Sequence, residues 1–332
     1  GTALLFFVNE GSYLLASFFF IIANIGFSGG NVFYDGFLTD ISNDTSIDYI
    51  SSLGYAAGYL GGGLLLALNL LMISKPSLFG IASVTSATQI SFVTVAVWWF
   101  VFSLPAFKYL PDSQKDLGKV PLKKYTKMAF GRLKTTFEHV REYRELWKFL
   151  LAFWVYNDGI GTIIRMATIY GREVGIGQTD LIGALLLTQF VGIPFALIFA
   201  KIASKITAKK GIYIALLIYT AITFYGFFLD SALDFWILAG IVGMVQGGAQ
   251  ALSRSLYGAM VPEEKSAEFF GFFGVSSKFA AIIGPSVFAY IGQLTGSSRY
   301  GIIAVASFFI LGIFFLSRVD VEKGKREGGK NA

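Results

Sequence analysis

Asp158 has the most chemical potential of any residue in this chain, because it stands in the middle of a long apolar run, 147–170. A carboxylate is costly there unless it carries a proton or pairs with a cation. Asn157 adjoins it, and Thr162 and Arg165 follow at i+4 and i+7, on one face if the run is helical. Two readings stay open. Asp158 could take up and release a proton, or it could form a fixed pair with Arg165, whose long side chain can bridge two turns. Lys278 is the one ammonium near the middle of an apolar run, 268–291. It could bind a solute carboxylate or neutralise Asp158.

Two polar stripes accompany these charges. Asn24, Ser28, Asn31 and Asp35 recur at i, i+4, i+7 and i+11 within 13–35 and its edge. Gln246, Gln250, Ser253 and Tyr257 repeat that spacing in 233–257, with Arg254 beside them. At about 100° per residue each set lies on one face of a helix. Such stripes line an aqueous cavity or hydrogen-bond helices together. Tyr55 and Tyr59, one turn apart, could face the same space or fill it. Enzyme chemistry has no foothold. The chain has no cysteine and a single histidine, His139, in a basic loop. No clustered carboxylates appear in the apolar runs and no GxxxxGK loop appears in the chain, so no catalytic residue, metal site or cofactor is expected, and direct ATP drive is not.

The elements that must position these groups are bilayer-crossing helices. Apolar residues make up 55% of the chain and charged residues 14%. A crossing needs about 20 apolar residues, and the sequence predicts helices at 13–35, 53–73, 84–107, 147–170, 179–202, 211–229, 233–257, 268–291 and 300–317. Residues 1–8 read as the end of a further one. The fold class is an all-α membrane protein of about ten helices. Twenty-two of the 27 basic residues fall on one side of this alternation and three, Lys75, Arg172 and Arg299, on the other. The side rich in basic residues is cytoplasmic, so the net charge of +6 is an orientation signal, and no nucleic-acid partner is implied.

The segment Ala23–Gly30 is echoed by Ile241–Gly248, and Gly54 by Gly271, at offsets of 217–218. The echo suggests two parallel half-bundles: a truncated N-terminal half at 1–107, a basic cytoplasmic linker at 108–146, a C-terminal half at 147–317, and a cytoplasmic tail at 318–332. On this register the first two helices and part of the third are missing, and the parent is a six-plus-six bundle. The linker from Leu122 to Trp147 reads as a basic amphipathic helix along the inner membrane surface. It is either a solvated connection or a binder of phosphate or lipid headgroups. Glycines crowd 53–73 and recur at Gly271, Gly274 and Gly284-Pro285. They serve close packing, and one or two could serve as hinges.

Asn31-Val-Phe-Tyr-Asp-Gly-Phe-Leu38, Leu53-Gly-Tyr-Ala-Ala-Gly-Tyr-Leu-Gly-Gly-Gly63, Tyr156-Asn-Asp-Gly159, Met166-Ala-Thr-Ile-Tyr-Gly171 and Gln250-Ala-Leu-Ser-Arg-Ser-Leu256 occur in this order. Glu268-Phe-Phe-Gly271, Lys278-Phe-Ala-Ala281 and Gly292-Gln-Leu-Thr-Gly-Ser-Ser298 follow them. Together they resemble the vacuole effluxer family of the major facilitator superfamily, which includes bacterial permeases. The resemblance implies a twelve-helix alternating-access transporter whose eukaryotic members are associated with amino-acid efflux. Its motifs fall here on Asn31, Tyr34, Tyr55, Asp158, Arg254 and Lys278. Ser204 stands where the superfamily usually has an acidic residue, which puts the gating charge pair of the 201–210 loop in doubt.

The expected function is therefore secondary active transport of a small polar solute, amino acid-like and proton-coupled. Its alternative is a membrane sensor that keeps the fold without transport. Asp158 would couple the proton, Lys278 would meet an anionic group, and Asn24, Asn31, Tyr34, Asp35, Tyr55, Tyr59, Asn157, Arg165, Gln246, Gln250 and Arg254 would line the path. The partners expected are the lipid bilayer, the solute and protons, for a monomer in a bacterial cytoplasmic membrane or a vacuolar one.

Overall fold

The computed structural model describes residues 1–43, 45–110, 131, 135–262 and 265–329, with the backbone alone at 267, 279 and 280. Its helices are α1 (Tyr13–Asp40), α2 (Ile47–Ser74), α3 (Val84–Tyr109), α4 (Arg144–Glu173), α5 (Gln178–Ile206) and α6 (Ala208–Phe227). They continue as α7 (Ala232–Met260), α8 (Ser266–Ala280), α9 (Ile283–Thr295), α10 (Ser298–Ser317) and the short α11 (Val321–Glu327). No strand occurs among the described residues. Among the described residues eight stretches are long and apolar enough to cross a membrane: α1, α2, α3, α5, α6, α7, α10, and Glu268–Thr295, which runs through α8 and α9. α4 has the length, at 30 residues, but carries Asp158, Arg165 and charges at both ends.

Several helices run past their apolar runs. α1 reaches Asp40, α2 starts at Ile47 and α7 reaches Met260. Hydropathy marks where lipid begins, whereas a helix continues for as long as its end residues find partners in the protein. Residues 3–7 form a 3-10 turn, with Val8 extended behind it. The Val8 carbonyl accepts from the Gln89 amide at 3.0 Å. The run 268–291 is not one helix but two, because α8 ends at Ala280 and α9 begins at Ile283. Pro285 explains the break. It has no N–H for the carbonyl four residues back, Ala281, and its ring crowds that carbonyl. The linker expectation for 122–147 falls largely outside the described residues; 135–142 are helical.

The chain divides into two compact units whose boundary falls inside α1 and α2. One comprises Gly1–Tyr34 with the described residues from Gly61 to the end of α3. Within it Thr94 donates to the Asn69 amide oxygen at 2.8 Å, and Phe27 lies against Trp99 with ring centres 5.5 Å apart. The other comprises Asp35–Leu60 with the described residues that follow the linker. In this second unit α5 packs along α7, α10 along α4, and α6 between α7 and α10. Lipid offers no hydrophobic drive between helices, so shape and aromatic contacts carry the packing. Phe153 and Tyr257 both stack on Phe273, at 4.3 and 4.6 Å, and Tyr219 stacks on Phe309 at 5.1 Å. Capping fixes the ends: Ser231 and Asp234 form a reciprocal box at the start of α7.

Candidate functional site

The break between α8 and α9, inside an apolar stretch, leaves backbone groups without their helical partners. α4 supplies the replacements. Arg165 Nη1 donates to the stranded Ala281 carbonyl at 2.7 Å, and Asp158 Oδ2 accepts from the Gly284 amide at 2.7 Å. The cation therefore faces the C-terminal end of α8 and the anion the N-terminal end of α9, in the sense both helix dipoles favour. Asp158 is 2% exposed, and its Oδ1 has no hydrogen-bond partner among the described residues. Thr162, one turn on, donates to the Asp158 backbone carbonyl at 2.7 Å. A Cβ on Gly284 would strike Thr162 Oγ1 and come within 2.9 Å of Asp158 Oδ1. Only glycine lets α9 approach α4 this closely.

The second assembly lies where the ends of α1 and α2 meet α7. Arg254, 5% exposed, is its centre. Nη1 donates to Asp35 Oδ1 at 2.9 Å, Nη2 to the Ser51 carbonyl at 2.9 Å and Nε to Ser51 Oγ at 3.0 Å. The guanidinium also sits 4.8 Å from the Tyr55 ring centre. A planar fork with five donors can make all these contacts at once, which lysine could not. Ser51 Oγ donates in turn to the Ala251 carbonyl at 2.8 Å, and Ser255 Oγ to Asp48 Oδ1 at 2.5 Å. Ser266, at the start of α8, bonds Thr39 Oγ1 at 2.5 Å and donates to the Gly36 carbonyl at 3.2 Å. Hydrogen bonds from α7 and α8 thus seam the facing ends of α1 and α2.

The remaining candidates take varied places. Tyr59 lies flat on α7, so that a Cβ on Gly247 would come 2.7 Å from its ring, and its hydroxyl interacts with Gln246. A cavity of about 110 Å³ between α4, α5, α6 and α7 has apolar walls, with Gln189, Gln246, Thr188 and Thr223 among its polar groups. Gln250 and Asn157 are half-buried. The inner end of the α7 stripe is closed by packing: Ser253 bonds the Tyr156 hydroxyl at 2.7 Å, and Tyr257 donates to the Phe269 carbonyl at 2.8 Å. Lys278 is exposed in the last turn of α8. In the other unit Asn24 and Tyr34 are exposed and Asn31 is half-buried. Asp48, Ser51, Ser255 and Ser266 were not singled out by sequence. The acidic residues Asp40, Asp44 and Asp48 between the first two apolar runs were the available signal.

Nearly the whole chain, residues 1–329, matches the family model described as "Vacuole effluxer Atg22 like". An "Uncharacterized MFS-type transporter YxiO" of Bacillus subtilis is 38% identical over 323 residues, 97% of this chain and 74% of that protein. "Autophagy-related protein 22" of Saccharomyces cerevisiae is 25% identical over 329 residues, 86% of this chain and 59% of the yeast protein. "Autophagy-related protein 22-1" of Aspergillus niger is 24% identical over 299 residues, 84% and 48% of the two chains. The chain thus spans about half to three-fifths of the fungal relatives' length. It is a multi-pass membrane protein, and it belongs to the vacuole effluxer Atg22-like family.

Proposed function

We propose that this protein is a secondary active transporter that moves a small, amino acid-like solute by alternating access, coupled to protons. The observation that carries the reading is Asp158, a buried carboxylate with one oxygen on the broken helix and the other without a partner. A proton on the partnerless oxygen neutralises the group at membrane depth, and the charged form holds the Gly284 amide more strongly. Uptake and release of one proton therefore change the grip on α9. The cytoplasmic seam is the other half of the reading. Arg254, Asp35, Ser51, Asp48 and Ser255 close that side, and alternating access requires them to part. The two half-bundles, 1–107 and 147–317, are the bodies that would rock. Gln246, Gln250 and Tyr59 offer amide and hydroxyl groups for a zwitterion, and the cavity beside Gln246 has room for an apolar side chain.

The test is uptake of an amino-acid panel into proteoliposomes that hold the full-length protein, with and without an inward proton gradient. Uptake is expected to rise with the gradient, and Asp158→Asn is expected to abolish that rise while leaving exchange of internal for external solute intact. Gradient-driven uptake that survives Asp158→Asn removes the coupling role.

A further inference from the structure

The chain after α10 folds back onto the cytoplasmic ends of the helices. Lys148 Nζ donates to the Arg318 carbonyl at 3.2 Å, and Lys209 Nζ donates to the Val319 carbonyl at 2.7 Å. Glu145 is 1% exposed, yet it is fully engaged. It accepts from the Asp320 amide at 2.9 Å and from Lys148 Nζ at 2.8 Å, with Lys323 Nζ at 3.9 Å. Its own amide donates to Glu327 Oε2 at 3.1 Å. These bonds fasten α11 to α4 and α6.

The tail then presses on α7. A Cβ on Gly324 would lie 2.6 Å from Met260 Sδ, and one on Gly328 would lie 2.5 Å from the Met260 carbonyl oxygen. Met260 is the last residue of α7. Two residues earlier, Gly258 meets Ile47 and Thr39 at the ends of α2 and α1. The last turn of α7 is therefore gripped between α11 and the helices it seams, one turn beyond Arg254 and Ser255. Lys325 adds its charge near Asp48, the carboxylate that Ser255 holds.

We infer that α11 is a latch: docked on Met260 and Glu145, it keeps the end of α7 in the position that presents Arg254 and Ser255 to α1 and α2. The tail thereby favours the state closed to the cytoplasm, and whatever lifts it favours opening. The inference rests on the alternating-access reading of the seam.

This chain has no cysteine, so one introduced at Ser51, which is fully buried in the seam, reports opening. The full-length protein with Ser51→Cys, any cysteine elsewhere replaced by serine, is labelled in inside-out vesicles with a membrane-impermeant maleimide. Gly328→Val, which cannot fit against the Met260 carbonyl, and truncation after Val319 are each expected to speed labelling about fivefold, the shift that one lost hydrogen bond brings. Gly328→Val decides if the truncated chain fails to fold. Unchanged rates in the tail variants, with faster labelling in Arg254→Ala, overturn the latch and leave the seam standing. Unchanged rates in all of them overturn the seam and the latch with it.

Discussion

Arg254 shows how much one buried side chain can organise. Truncating it to alanine leaves Asp35 partly buried without its cation and removes both bonds to Ser51. Breaking such a pair by deleting one partner costs about 3–5 kcal/mol when it is fully buried. Asp35 keeps 22% of its side-chain exposure, so Arg254→Ala is expected to cost ~2–3 kcal/mol. Asp35→Asn should cost roughly half as much, because the amide oxygen still accepts a hydrogen bond. Thermal midpoints of the detergent-solubilised variants check the order, and equal losses would show that the charge of Asp35 matters less than its presence. Arg254, Asp35 and Asp158 were legible in the sequence because an ionisable group in an apolar run has to be explained. Ser51, Ser255 and Ser266 were not, since a serine in a helix commonly bonds its own backbone and carries no mark of facing another helix. Glu145 was hidden for a different reason: Asp320 and Glu327, which complete its site, come more than 170 residues later.

The break between α8 and α9 belongs to the scale of elements. Gly284-Pro285 announced a bend, but the sequence could not say which side chains would satisfy the groups it strands. Asp158 and Arg165 form no direct ion pair among the described residues; each charge meets its own end of the broken helix. A double-mutant cycle tests this. Arg165→Met should destabilise the protein by about 1–2 kcal/mol, the cost of leaving the half-buried Ala281 carbonyl unbonded. In a Pro285→Ala background the backbone N–H at that position is restored and the Ala281 carbonyl can rejoin the helix. There the same change should cost under ~1 kcal/mol. Additive effects in thermal or denaturant unfolding would show that Arg165 does not serve the break. Helix ends were the least legible feature of the elements. α1, α2 and α7 outrun their apolar runs because their polar ends are spent on one another.

For the molecule as a whole, the class follows from what a bilayer demands of any chain, so composition carried it, and basic-residue placement gives the orientation expected. The alternation has a direct check. Lys75→Cys should react with an impermeant reagent in right-side-out vesicles, and Arg326→Cys only in inside-out ones. Reaction of both from one side would break the assigned topology. The tail was legible as polar but not as structured, because seven residues rich in charge show no sign of the surface they will cover. Compact grouping also differs from chain order, as the inner ends of α1 and α2 pack with α7 rather than with their own outer ends. Asp158 and Arg165 stand two turns apart on one rod, about 10 Å along its axis, while the ends they grasp belong to two separate rods. α4 is consequently a lever with both hands on a joint. Any tilt of it pulls α8 and α9 by different arms, and the outer rod must swivel against the inner one.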